Sequence, residues 1–208
     1  MIVTVSEGKN NKIHIHIDGE YKATVDKDWW YSEKYRNYKE ITEEELTELL
    51  CSVSFRRAYN KALDYLSRRP YSEKELAKKL REKDFPDEAI EGVIARLREL
   101  SLLNDEHYAE ILAEQLYNNK HYGTRRILQE LALRGVSREI AQNAVEALDK
   151  DDVNSIILLL ERKFHDKIKD EKGKQRTINT LLRYGYSFSD VKQALNSVEN
   201  NSEEDDYE

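Results

Sequence analysis

Apolar residues follow two different periods along the chain, and the change of period divides it. Near the start, the stretches Ile2–Val5, Lys12–Ile17 and Tyr21–Val25 alternate apolar with polar side chains or are β-branched, which is the pattern of half-buried strands. Asp18-Gly19 stands between the last two and suits a type I′ hairpin, whose two central residues both need positive φ. The expectation is a small antiparallel sheet of three strands. Trp29, Trp30 and Tyr31 follow directly. Aromatics beside so small a sheet plug its open side against a helix; the alternative is a platform on which nucleic-acid bases stack.

From Thr42 onward the period is that of a helix. Thr42-Glu43-Glu44-Glu45 and Ser72-Glu73-Lys74-Glu75 both have capping-box spacing, in which hydroxyl and carboxylate satisfy each other's backbone donors. The two prolines, Pro70 and Pro86, stand at or just before predicted helix starts. An internal repeat is the dominant pattern. The apolar positions Leu76, Leu80, Phe85, Ile90, Val93, Ile94 and Leu97, moved forward by 51 residues, land on Ile127, Leu131, Val136, Ala141, Ala144, Val145 and Leu148. A further step of 50 lands on Thr177, Leu181, Tyr186, Val191, Ala194, Leu195 and Val198, which breaks the pattern only at Thr177. The last four positions of each copy follow i, i+3, i+4, i+7, one stripe of an amphipathic helix. Before that stripe stand Asp84-Phe85-Pro86, Arg134-Gly135-Val136 and Tyr184-Gly185-Tyr186, where glycine in two copies suits a left-handed helix terminus.

A further helix precedes each copy, over Phe55–Leu66, Tyr108–Tyr117 and Val153–Phe164, so the unit is three helices repeated three times. Such units stack into an array. The predicted fold is therefore mainly α: three tandem three-helix repeats forming an elongated curved body behind a small antiparallel sheet. The expected segments are a β-rich region over 1–40, an acidic linking helix over 41–53, repeats over 54–103, 104–150 and 151–200, and an acidic disordered tail over 201–208. Packing within and between repeats is assigned to Leu76, Leu80, Ile94 and Leu97, to Ile127, Leu131, Val145 and Leu148, and to Leu181 and Leu195. Ser101–Val136 joins the first two repeats, and there Leu102, Leu103 and Tyr108 are expected to set the join.

Composition narrows the function. The chain has 208 residues, 36% of them charged, with a net charge of −7. No run approaches the roughly 20 apolar residues that span a bilayer, and the start lacks a secretion signal, so a cytoplasmic protein without membrane contact is expected. Cys51 is the single cysteine, which rules out an intrachain disulfide or thiolate cluster. His14 and His16 share a face of the middle strand, and His107 and His121 lie near acids, but neither pair finds a third metal ligand by spacing. Glycine-rich phosphate loops, nucleophile elbows and His-Glu metal helices are missing from the sequence, so neither catalysis nor a cofactor is expected.

Charge is unevenly distributed. Acids cluster in 40–48 and 199–208, whereas Lys120, Arg125, Arg126, Arg134 and Arg138 form a basic run. In Tyr122-Gly123-Thr124-Arg125-Arg126, Thr124 as a helix cap would leave backbone N–H groups and two arginines facing one end, which outlines an anion site. An ordinary cap with solvated or ion-paired arginines is the alternative. Arg68, Arg69, Lys74, Lys78 and Arg81 make a second basic stripe, either a solvated face or part of a track along a phosphate backbone or acidic partner. Lys163, Lys167, Lys169, Lys172, Lys174 and Arg176 would extend it, although acids interleave there.

The ordered set Tyr65-Leu66-Ser67-Arg68-Arg69, Ser72-Glu73-Lys74-Glu75-Leu76, Leu102-Leu103-Asn104-Asp105-Glu106-His107-Tyr108-Ala109 and Gly123, Arg125, Arg126, Ile127, Glu130, Leu131, Arg134, Gly135 resembles the RecX regulatory proteins. The resemblance is strong over 58–148 and persists in pattern through the third copy. It implies a non-catalytic protein that lies along the groove of the RecA filament on single-stranded DNA. Such a protein holds down the filament's ATPase, strand-exchange and co-protease activities and so tunes recombinational repair and the SOS response. The expected contacts are Arg68, Arg69, Lys74, Lys78, Arg81, Lys120, Arg125, Arg126 and Arg134, in a chain acting as a monomer. Its acidic balance implies weak binding to free DNA, with the filament's protein surface supplying much of the contact. Two other classes fit the repeats: a duplex DNA binder with helix-turn-helix-like units, and a helical-repeat adaptor that touches only protein.

Overall fold

The computed structural model describes residues 1–37, 39–168 and 170–205 and divides into two compact units, Met1–Leu103 and Asn104–Glu208. Lys169 and residues 206–208 of the predicted tail lie outside the described residues.

In the first unit, β1 (Val3–Gly8), β2 (Lys12–Ile17) and β3 (Glu20–Asp26) form an antiparallel meander in the order β1-β2-β3. Asp18 (φ 49°) and Gly19 (φ 83°) turn the second hairpin as expected, and Asn10 and Asn11, both at φ 57°, turn the first. β1 runs three residues past its expected end at Val5, because its whole length to Gly8 pairs with β2. The apolar face of the sheet carries Ile13, Ile15, Ile17, Ala23 and Val25, and Trp30 of α1 (Lys27–Ser32) is buried against it. Trp30 therefore plugs the sheet, Trp29 is partly buried beside it, and Tyr31 is exposed. On the opposite face His14 Nδ1 is 2.7 Å from Thr24 Oγ1, which gives that imidazole a structural partner.

One helix, α2 (Glu43–Leu66), replaces the predicted linking helix and the first helix of the first repeat. The boundary expected at 53/54 falls inside this continuous helix. Neither proline nor glycine interrupts these 24 residues, and the Thr42 capping box starts them with both reciprocal bonds. The boundary instead separates two cores along one helix: Leu49 and Val53 pack into the sheet cluster, Ala58 and Ala62 into the repeat cluster. α3 (Glu73–Arg81) and α4 (Asp87–Glu99) complete that repeat. Ser72 caps α3 by accepting from the Glu75 N–H, and its own residue is fully buried.

The second unit holds two repeats: α5 (Asp105–Lys120), α6 (Thr124–Leu133) and α7 (Arg138–Glu146), then α8 (Asp152–Leu159), α9 (Glu171–Arg183) and α10 (Phe188–Asp205). α8 continues through a π turn over Leu160–Phe164 and a 3-10 turn over His165–Lys167. α10 carries the backbone helix to Asp205, into the stretch expected to begin the acidic tail. The break before the last helix of each repeat is left-handed in all three copies, at Asp84 (φ 58°), Gly135 (φ 84°) and Gly185 (φ 98°). Nearly the whole repeat stripe is buried, including the pattern-breaking Thr177 at 2% exposure; Phe85, Leu148 and Val198 are partly buried. Leu102 differs: it is 50% exposed, whereas Leu103 and Tyr108 are buried. The left-handed Ser101 (φ 54°) directs the Leu102 N–H to the Leu97 carbonyl and turns its side chain outward, which removes it from the expected packing set.

Asp152, a half-buried carboxylate, is an anomaly at the start of α8. Its Oδ1 is enclosed with no hydrogen-bond partner among the described residues, and burial, followed by the neighbouring carboxylates of Asp190 and Asp151, raises its pKa against the pull of Lys150. A folded-state pKa above the unfolded value means that stability is present at low pH and is lost as pH rises through the folded pKa. Asp152→Asn is therefore expected to melt higher than the parent at about pH 7, with the gain shrinking towards about pH 3.5. Thermal unfolding of both proteins across that range checks this, and a gain that is constant with pH or absent would refute it.

Candidate interaction surface

The corner between α5 and α6 is built from the backbone outward. α5 ends on His121 in the left-handed region (φ 52°), which returns the Tyr122 N–H to the Leu116 carbonyl. Gly123, and not Thr124, is the N-cap of α6. Its N–H donates to the Tyr184 carbonyl at 2.8 Å, and the Arg125 N–H donates to the Gly185 carbonyl at 3.2 Å. The amides that outlined an anion site are thus committed to the glycine turn of the third repeat, and the site is corrected to an inter-repeat cap. Thr124 Oγ1 accepts from Lys150 Nζ at 3.1 Å. The seam is closed by Tyr186, whose hydroxyl donates to the His121 carbonyl at 3.0 Å, and by the edge-on rings of Tyr122 and Tyr184. Burial pushes the Tyr186 hydroxyl well above its ordinary pKa, which keeps it a donor. Tyr117 and Ser155 add a hydroxyl pair at 2.9 Å between α5 and α8.

The arginines around this corner have separate fates. Glu130 gathers Arg126 and Arg134, each at 2.7 Å, with its side chain only 15% exposed. The Arg134 hydrogen bond leads in holding the Glu130 carboxyl below its usual range. Arg126 also reaches Gln129 and lies over the Tyr122 ring. These two guanidinium groups brace α6, a commitment that i, i+4 spacing from Glu130 signals in the sequence. The Lys120 and Arg125 side chains are exposed, and neither makes a hydrogen bond or ion pair with another described residue.

The first repeat divides in the same way. Arg68 bonds Asp64, and Arg81 bonds Asp87. Arg69 forks onto Glu75 and stacks over Tyr71 at 3.7 Å. Lys74 and Lys78, one turn apart on α3, are exposed and unpaired among the described residues. In the third repeat Lys163 donates to the Tyr184 hydroxyl, Lys174 pairs with Glu199, and Lys167 lies over Phe164, leaving Lys172 and Arg176 exposed and, among the described residues, unpaired. No group of three or more potential metal ligands occurs, and no helix is long and apolar enough to cross a membrane, among the described residues.

Comparison with known proteins settles the ancestry. Residues 58–97 match the family model described as RecX, first three-helix domain, and residues 104–145 match RecX, second three-helix domain. A regulatory protein RecX from Caldanaerobacter subterraneus is 32% identical over 94% of this chain and 99% of its own length. The chain belongs to the RecX family.

Another regulatory protein RecX, from Clostridioides difficile, is 31% identical over 99% of both chains. A crystal structure of regulatory protein RecX shares the fold at TM-score 0.70, covering 94% of this chain and 98% of its own, at 23% identity. The RecX structure from Lactobacillus salivarius gives TM-score 0.63 at 28% identity over 70% of this chain and 97% of its own. The family's three-helix domains coincide with the first two repeats of this RecX-family chain, and α8–α10 repeat the same buried stripe. The capping turn at Tyr184-Gly185, the clamp at Glu130 and the Lys150 bond to Thr124 were not anticipated from sequence. Only the repeated glycine before the last helix hinted at the first.

Proposed function

We propose that this RecX-family regulator is a non-catalytic modulator of the RecA recombinase. It binds the RecA–single-stranded DNA filament along its groove and inhibits its ATPase, strand-exchange and co-protease activities, thereby modulating recombinational repair and the SOS response in the cytoplasm. The observation that carries this reading is similarity over 94% and 99% of the chain to proteins named regulatory protein RecX. Lys74, Lys78, Lys120 and Arg125 supply exposed cations, without partners among the described residues, for phosphate or acidic side chains. The chain acts as a monomer without a cofactor. Titrating it into cognate RecA on single-stranded DNA is expected to slow ATP hydrolysis at substoichiometric to equimolar ratios. Unchanged turnover in a mixture where binding is confirmed would overturn the inhibitory role.

A second reading, an adaptor that touches only protein, draws support from the ion pairs that occupy Arg68, Arg69, Arg81, Arg126 and Arg134. Salt separates the two, because phosphate contacts release counterions and make affinity fall steeply with ionic strength. A shallow dependence favours the adaptor.

A further inference from the structure

α2 serves two cores, and a third stripe of its surface serves neither. Thr47, Leu50, Cys51 and Ser54 follow i, i+3, i+4, i+7 and line the floor of a cleft of about 770 Å³. Trp29 forms one wall, and Pro86 and Ala89 at the start of α4 form the other, with Phe55 between them. Such a volume, with a mainly apolar lining and a few polar groups, has the dimensions of a ligand site.

Its rim is acidic. Glu33 and Glu88 line the cleft, Glu44 lies one turn before Thr47 on the same helix, and Glu91 lies one turn after Glu88. None of these four carboxylates is ion-paired with another described residue. By contrast, Glu48, Glu73, Glu75, Glu82 and Asp87 in the same unit all hold a lysine or arginine. Arg56, the cation among the lining residues, lies in the field of Asp26 and helps keep that carboxyl ionised.

We propose that this cleft docks an amphipathic helix of a partner protein whose apolar face is flanked by lysine or arginine. Leu50 and Cys51 of the floor and the apolar walls take side chains spaced i, i+3 and i+4, and the four glutamates take the flanking cations. This contact is chemically opposite to the exposed cations proposed for the filament and does not rest on that reading.

Cys51 is exposed on the floor and is the single cysteine, so the full chain can be blocked at one place. The probes are three fluorescein-labelled helical peptides with the same leucine face, flanked by lysine, serine or glutamate, and the readout is fluorescence anisotropy. The lysine peptide is expected to bind best, at least about tenfold tighter than the glutamate peptide. Prior coupling of Cys51 to a bulky maleimide should abolish that binding. Glu33→Gln with Glu88→Gln, both exposed or half-exposed and outside any core, should weaken it several-fold while helical CD stays unchanged. Failure of the lysine peptide to bind, equal binding of all three peptides, or binding that survives the maleimide overturns the proposal. So does self-association that the maleimide alone removes, since that assigns the cleft to a second copy.

Discussion

Gly185→Ala is expected to lower the melting temperature by on the order of 10 °C or more. Gly185 stands at φ 98°, where a Cβ alone costs about 1–2 kcal/mol. The added carbon would also lie 2.3 Å from the Arg126 backbone nitrogen and 2.6 Å from the Arg126 Cβ, so the turn has to move. Moving it breaks the Arg125 N–H bond to Gly185 and the Gly123 N–H bond to Tyr184, and α6 loses its cap. Gly19→Ala is the control. Gly19 has φ 83° but nothing within 4 Å of its ideal Cβ, so it pays only the conformational penalty. Equal melting temperatures for the two variants would mean that the repeat seam adds nothing to stability.

Lys120→Ala with Arg125→Ala, and separately Lys74→Ala with Lys78→Ala, are each expected to weaken binding to the RecA–single-stranded DNA filament. The loss should be roughly tenfold at physiological salt, with the slope of log affinity against log salt falling by about one for each phosphate contact removed. Stability should hold within about 0.5 kcal/mol, because these side chains are exposed and support no other group. Arg126→Ala makes the contrast. It withdraws one of the two cations from Glu130, a carboxylate that is 15% exposed, so a loss of binding there would mix contact with unfolding. Filament binding and thermal melts on the same preparations separate the cases. Undiminished affinity in both lysine-containing double variants would remove these four residues from the interface.

The repeat itself was legible because its signal is local. Seven positions recurring at steps of 51 and 50 residues identify the buried face of each repeat without any knowledge of the partners, and all of them are buried or partly buried. Thr177 shows why the match is positional: a threonine where leucine and isoleucine stand in the other copies still occupies the core at 2% exposure. Asp84 shows the same for the backbone, taking the left-handed conformation that glycine takes in the other two copies. Chain composition also fixed the small sheet, since Asp18-Gly19 and the alternation around it leave few other arrangements.

Other features depend on contacts that only folding reveals, some between distant residues and some between near neighbours. Tyr122–Arg126 carries every feature of an anion site until Tyr184 and Gly185, some sixty positions later, take its amides. The basic stripes look continuous until Asp64, Glu75 and Asp87 each claim an arginine and Glu130 claims two, which leaves only a subset of cations free. Leu102 reads as packing until the left-handed Ser101 turns it outward.

By itself, then, the sequence determined the periods, most of the helix starts, the repeat register and the family, because each is set by neighbours within a few residues or by order along the chain. Only the tertiary structure decided which polar groups are already satisfied, that one helix carries two cores with an acid-rimmed, mainly apolar cleft on a third stripe, and that a glycine turn of one repeat caps a helix of another. Those outcomes depend on which donors, acceptors and charges meet after folding, and spacing along the chain signals only the local ones, such as the i, i+4 pairs of Glu130.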